Sequence, residues 1–212
     1  MKVIAFNGSA RKNGNTNYAI NLVGEELKKE GIDLEVIHIG AKQIRGCASC
    51  FNCLTTKSGK CVIPDELNDI IEKLKEADGL ILASPTYYAN ISGGFKAFLD
   101  RLFFVMDYGT EVPVMRHKVG ASIIAVRRGG ELGAYNALNN YLLDCEMLVA
   151  GSNYWNMIYG MMPGDAEKDD EGVQTIKILG RNMAYLLKMR EATKDTVKAP
   201  AHEPKTMTNF IR

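Results

Sequence analysis

An α/β fold built on one five-stranded parallel sheet is what this sequence predicts, and three observations predict it. Strand-like runs alternate with stretches of helical spacing along the whole chain. Five such runs are separated by helices, the arrangement of a parallel sheet covered on both faces. The length, 212 residues, suits one α/β domain with extensions better than two domains.

The elements follow in order. "KVIAFNGS" (2–9) is a short β-branched run ending in Gly-Ser. "NTNYAINLVGEELKKEG" (15–31) sets apolar residues at 19, 20, 23 and 27, ends in lysines and stops at Gly31, a C-cap. "DLEVIHIG" (33–40) reads as strand two. A loop of about two dozen residues follows, long enough to require a functional reason. "DELNDIIEKLKEA" (65–77) is a helix with Pro64 just before it, and "GLILASP" (79–85) a buried strand. "SGGFKAFLDRLFFVM" (92–106) is helical, "VGASIIAV" (119–126) a strand and "GAYNALNNYLLDCEM" (133–147) a helix. "LVAGSNYWNM" (148–157) makes the fifth strand and "EGVQTIKILGRNMAYLLKMRE" (171–191) the last helix. Right-handed crossovers leave few topologies, and the predicted strand order is 2-1-3-4-5. The expected organisation is one domain over 1–191, with a cysteine-rich loop at 46–64, and a Pro/Lys-rich tail over 192–212. Two readings of the tail stand, a disordered terminus or a segment packing on a partner subunit through "NFI" near its end.

Composition narrows the function classes. Formal net charge is +1 with no long Lys/Arg block, so nothing points to nucleic acid or an anionic membrane surface. Hydrophobic residues are 46% and charged residues 24%, the balance of a globular protein. No apolar stretch approaches the roughly 18–20 residues that span a bilayer. The N-terminus lacks the apolar core and cleavage site of a signal peptide, and a cytoplasmic location is expected. In a reducing compartment, clustered cysteines bind metal or do redox chemistry more often than they form structural disulfides.

Ligands of open α/β sheets sit outside the carboxyl ends of the strands. The first such loop, "NGSARKNGNT" (7–16), carries tight glycines, the hydroxyls of Ser9 and Thr16, the Arg11 guanidinium, and amides at Asn13 and Asn15. It opens onto a helix N-terminus, where free N–H groups and the dipole favour an anion. A Walker loop is excluded, because Gly14-Asn15-Thr16 comes one residue late and has no lysine. A dinucleotide fingerprint is excluded because only Gly8 and Gly14 are present and strand two ends without an acid for a ribose. A terminal phosphate monoester, such as that of FMN, suits this loop better than a pyrophosphate.

With "SPTYYANISGGFKAFLDRL" after strand three, "GSARKNGNT" resembles the NAD(P)H-dependent FMN reductases of the flavodoxin-like superfamily, from Met1 to about Leu187. The resemblance implies a flavodoxin-like fold and an FMN-dependent oxidoreductase. It implies phosphate ligands Ser9, Arg11, Asn15 and Thr16, and ring and ribityl contacts from Pro85, Thr86, Tyr87, Tyr88 and Asn90. The residues of the second loop agree, since aromatics and backbone amides at a strand's carboxyl end suit a planar, partly apolar ring. N–H groups facing such a ring's pyrimidine edge would stabilise the anion formed on reduction. In "VRRGGELGA" (126–134), Gly129 and Gly130 could let backbone approach the ring, and Arg127 or Arg128 could meet a phosphate. Solvated arginines explain that pair equally well.

Cys47, Cys50, Cys53 and Cys61 form C-x2-C-x2-C-x7-C. A tight C-x2-C-x2-C arc points three thiolates at one small centre, as in ferredoxins. The segment resembles the iron–sulfur flavoproteins of the same superfamily, which implies a [4Fe–4S] cluster held by all four. Zinc and free or reversibly oxidised thiols remain open readings of the same residues. The implied electron donor is NAD(P)H or a reduced ferredoxin, the acceptor a small molecule or a redox partner, and the assembly a homodimer or homotetramer. Three rivals stand beside this reading: a cluster-free NAD(P)H-dependent FMN or quinone reductase, a non-enzymatic electron carrier like flavodoxin, and a metal-stapled interaction module without flavin. No side chain is singled out as an obligatory acid or base. His38, His117 and His202 have no metal or triad spacing. Cys145 reads as core, "DD" (169–170) as a helix cap, and Lys96, Asp100 and Arg101 as surface ions.

Overall fold

The computed structural model describes residues 1–208, so residues 209–212, which include the "NFI" of the tail, lie outside the described residues. The sheet is built on β1 (Lys2–Asn7), β2 (Asp33–His38), β3 (Gly79–Tyr87) and β5 (Val119–Val126), all parallel. The edge beyond β5 is shared by β6 (Leu148–Val149), which pairs with its start, and β7 (Met157–Tyr159), which pairs with its end. The expected order 2-1-3-4-5 is therefore observed, with the fifth strand broken in two. The break has a local cause. Ser152 Oγ donates to Tyr154 O at 2.6 Å and bonds Asn156 Oδ1 at 2.8 Å, folding residues 152–156 out of the ladder.

Alternation along each strand sends side chains to two cores. Ile4, Phe6, Leu80 and Leu82 face one side, packed by α3 (Leu67–Glu76), α4 (Gly93–Tyr108) and α5 (Glu131–Asp144). Val3, Ala5, Ile81 and Ala83 face the other, under α1 (Asn15–Lys29) and α6 (Asp170–Thr193). Observed helix ends depart from the sequence reading by up to three residues. Asp169 caps α6 as expected, its Oδ1 accepting Gly172 N–H at 2.9 Å. Cys145 is buried in the core.

Three features were not read from the sequence. Tyr87 to Asn90 form a hairpin in which β4 (Asn90–Ile91) returns antiparallel to β3. The cysteine segment contains a one-turn helix, α2 (Asn52–Thr56). Arg101, expected among surface ions, is only 1% exposed. Lys96 and Asp100 do form the expected exposed i,i+4 pair, at 2.7 Å. The tail runs along this chain's own surface, where Arg116 donates to Pro200 O at 3.0 Å and Lys205 pairs with Asp144 at 3.5 Å. Among the described residues, no helix is long and apolar enough to cross a membrane.

Glu26 joins the two helices of one face. It is 4% exposed, and its carboxylate accepts from Lys29 Nζ at 2.6 Å and from Arg181 Nε of α6 at 3.0 Å. These two bonds, Lys29 first, hold its carboxyl below the ordinary 4.5. A depressed acid contributes stability above its unfolded pKa, and that stability is lost as pH falls through the folded value. Glu26→Gln is expected to cost about 1–2 kcal/mol at pH 7 and to flatten the stability loss below pH 4.5. Urea melts of both proteins across that acid range check this.

Candidate functional site

The carboxyl edge of the sheet carries a cleft lined by Ser9, Arg11, Gly14, Asn15 and Thr16 from the first loop, by Pro85, Thr86 and Tyr87 from the end of β3, and by Arg127. The backbone of Gly160 and Met161, after β7, closes the far wall. Seven of the expected flavin-contact residues are thus brought to one place. Tyr88 projects fully into solvent, Asn90 lines a separate depression with Lys96 and Tyr141, and Gly129 stands in open space.

The first loop is held from three sides. Asn7, fully buried at the end of β1, accepts Ser9 N–H at 3.0 Å, and its amide reaches Lys12 O at 3.3 Å and Asn17 Oδ1 at 3.4 Å. His38, at the end of β2, donates from Nε2 to Ser9 O at 2.7 Å. Ser92, the residue before α4, turns its hydroxyl away from its own helix and donates to Gly8 O at 2.8 Å. Gly40 sits so close that a Cβ there would lie 2.2 Å from Ser9 O. None of these supports was read from the sequence. They act through loop backbone, which leaves no spacing motif behind.

What the loop offers is donor capacity for an anion. α1 starts after Gly14 with no side-chain cap and no acidic residue in its first turn, so its positive end is open. Ser9 and Thr16 are buried beside it, and Arg11 arches across the cleft, Nη1 to Met161 O at 3.3 Å. Asp165 shapes the facing "GMMPG" turn, and the N–H groups of Met162, then Met161, hold its carboxyl below the usual carboxylate range. Two buried polar atoms at the cleft have no protein partner, Asn15 Oδ1 and Thr86 Oγ1. Leaving such atoms unpaired costs about 1–3 kcal/mol each, and the hydroxyls of a ribityl chain are of the kind that would pair them. The donor set and the orphan atoms therefore fit a sugar-alcohol phosphate.

The hairpin beside the cleft is strained. Tyr88 and Ala89 both adopt left-handed backbone, φ 49° and 60°, as a two-residue primed turn requires and as Asn-Gly usually supplies. Gly130, at φ 91°, faces this turn rather than the cleft, since a Cβ on it would stand 2.8 Å from Ala89 Cα. The glycine sequence after β5 thus supports the hairpin. Gly130→Ala is expected to lower stability by roughly 1–3 kcal/mol, measurable as a lower urea midpoint with unchanged slope.

The four clustered cysteines line a second cavity, against α4, with Phe51, Ile63, Arg101 and Phe104. Ser49, Phe51 and Lys57 take left-handed backbone, φ 51°, 56° and 51°, and bend the segment into an arc. Ser49 N–H donates to Cys47 Sγ at 3.4 Å. Asn68 clamps Cys61 from both sides, accepting its N–H at 2.8 Å and donating to its carbonyl at 3.0 Å. Burial pushes the Cys53 thiol up, so a metal bound there would displace its proton. Among the described residues, no three His, Cys, Asp or Glu side chains form a group that could hold a single metal ion. All four cysteines line this one cavity beside apolar side chains, a donor set of the kind that thiolate-held centres use.

Comparison with known proteins agrees with this geometry. The profile of the NADPH-dependent FMN reductase family matches residues 1–160. An iron-sulfur flavoprotein of Methanocaldococcus jannaschii is 35% identical over 196 residues, covering 89% of this chain and 98% of that protein. One of Methanosarcina thermophila is 28% identical over 197 residues, covering 92% of this chain and 100% of its own. An archaeal flavodoxin structure aligns with a TM-score of 0.58 at 20% identity, over 89% of this chain and 99% of that one. An NAD(P)H:quinone oxidoreductase from Methanothermobacter marburgensis reaches 0.64 at 17% identity, over 86% and 96%.

Proposed function

Because this chain belongs to the NADPH-dependent FMN reductase family and is thereby a flavin-dependent oxidoreductase, we propose that it holds FMN in the cleft over β1 and β3 and a [4Fe–4S] cluster in the cysteine loop. The observation that carries the reading is the cleft itself, an uncapped helix start with two buried hydroxyls, a guanidinium and two orphan polar atoms. Ser9, Arg11, Asn15 and Thr16 bind the phosphate, the open end of α1 facing it. Pro85, Thr86 and Tyr87 lie along the ring, Tyr88 and Asn90 belong to the hairpin beside it, and Gly130, following Gly129, supports that hairpin. FMN supplies the two-electron redox chemistry, and this chain's residues supply position, exclusion of water and fixed dipoles. Cys47, Cys50, Cys53 and Cys61 ligate the cluster, which supplies one-electron transfer. The iron–sulfur flavoprotein names of the relatives support that assignment over a cluster-free reductase. The donor is NAD(P)H or a reduced ferredoxin, the acceptor a small molecule or redox protein, and the working form a homodimer or homotetramer. We assign the flavin-binding unit to 1–191 and a subunit-contact role to 192–212.

Anaerobic purification followed by flavin, iron and acid-labile sulfide analysis tests this. One flavin with about four irons and four sulfides per chain is expected. A protein that takes up no FMN in excess overturns the reading, and flavin without iron reduces it to the cluster-free reductase. Thr16→Val should weaken FMN binding about tenfold, the loss of one hydrogen bond to a charged group, read by flavin fluorescence titration. Cys50→Ser should lose the iron while keeping the flavin bands.

A further inference from the structure

Arg101 is a charge with no evident reason to be buried. It projects from the middle of α4 at 1% exposure, the largest of the fully buried side chains. Its Nη1 donates to Arg45 O at 2.8 Å, and its Nη2 pairs with Asp65. Those partners flank the cysteine segment, Arg45 two residues before Cys47 and Asp65 four residues after Cys61. The third nitrogen, Nε, is buried and has no partner, and the same side chain lines the cavity that the four thiols line. One guanidinium thus closes both ends of the loop, stands in the wall of the cavity that the thiols line, and keeps a spare buried donor.

Structural stapling alone does not account for this. A buried cation needs its charge answered and all its donors paired, and Asp65, itself part-exposed, answers only one edge of the fork. An anionic centre among the thiols would answer the rest. Four thiolates outweigh the charge of an iron–sulfide core, so such a cluster is an anion, and each electron added increases that charge.

We propose that Arg101 is the fixed counter-charge and positioning residue of the sulfur centre, donating Nε–H toward it and holding the loop shut through Arg45 and Asp65. This rests on the cluster reading above. Arg101 exchanges no proton and forms no bond during turnover. One electron enters or leaves the cluster, and the guanidinium lowers the cost of the more negative state, tuning the potential as charge and hydrogen bonds near sulfur do.

Two readouts test it on the intact holoprotein, the cluster midpoint potential from a dithionite titration followed by electron paramagnetic resonance, and the rate of iron release to a chelator. Iron and sulfide in the wild type are measured first, and their absence sinks the cluster reading before any variant is made. With the cluster present, Arg101→Gln should disfavour the reduced state at least tenfold, about 59 mV more negative for one electron, and release iron faster. Arg101→Lys, which keeps the charge without the fork, should move the potential less than half as far yet still release iron faster than wild type. Asp65→Asn removes the carboxylate that competes for Arg101 and should shift the potential the opposite way. If Arg101→Gln fails to retain flavin and fold, the sign of the Asp65→Asn shift decides alone. A potential unchanged by either variant, or moved the same way by both, overturns the proposal.

Discussion

How β1 ends decides what the carboxyl edge of this protein can be. Asn7 is the last residue of the strand, fully buried, and it does more than continue the ladder. Its carbonyl receives the N–H groups of Ile39 and Gly40 at the end of β2, at 2.9 and 3.0 Å. Its side chain meanwhile bonds Ser9, Lys12 and Asn17. A buried amide left unpaired costs about as much as a substantial share of a domain's net stability. The loop therefore closes around this side chain, and the hydroxyls of Ser9 and Thr16 are delivered to the same side of it. Asn7 thus fixes the donors of the first loop while its own side chain stays occupied within the loop.

The same economy of support runs through α4. At its start Ser92 gives up capping its own helix to hold the first loop at Gly8. Nine residues later, about 14 Å along the axis, Arg101 holds the cysteine loop. Phe104 and Tyr108 then pack on that loop from the next turns, Phe104 against Phe51 and the Tyr108 carbonyl accepting from Lys57 Nζ at 2.9 Å. A packed helix core is stiff, so the carboxyl-edge cleft and the thiol cavity are built on one rigid rod. Their relative position is set by helix geometry and not by either loop.

The sequence was most legible where periodicity and local chemistry coincide. Strand order followed from five runs and right-handed crossovers, and hydroxyls, amides and an arginine opening a helix marked the loop that lines the carboxyl-edge cleft. Less legible were contacts that cross the fold. His38 looked like a stray histidine because its partner, the Ser9 carbonyl, lies 29 positions away and in backbone. Arg101 read as a surface ion because Asp100 and Lys96, its neighbours on the helix, are surface ions; only the loop folded over α4 buries it. The hairpin at Tyr87 to Asn90 was unreadable for a different reason. Its two central residues are Tyr and Ala, which oppose the left-handed backbone that the turn imposes.

That opposition is the more general feature. Seven non-glycine residues with positive φ occur among the described residues, and five of them, Ser49, Phe51, Lys57, Tyr88 and Ala89, lie in the two loops that border the candidate centres. Left-handed backbone costs an L-residue roughly 1–2 kcal/mol, and it persists only where surroundings overdetermine it. Here the surroundings are identifiable: Gly130 and Gly133 pressed against Ala89, and Gly59 N–H on the Gly109 carbonyl at 2.8 Å for the cysteine loop. An isolated segment of either sequence would relax away from these shapes. The sheet and α4 hold both loops in conformations their own residues disfavour, so the scaffold bears the cost of shaping them.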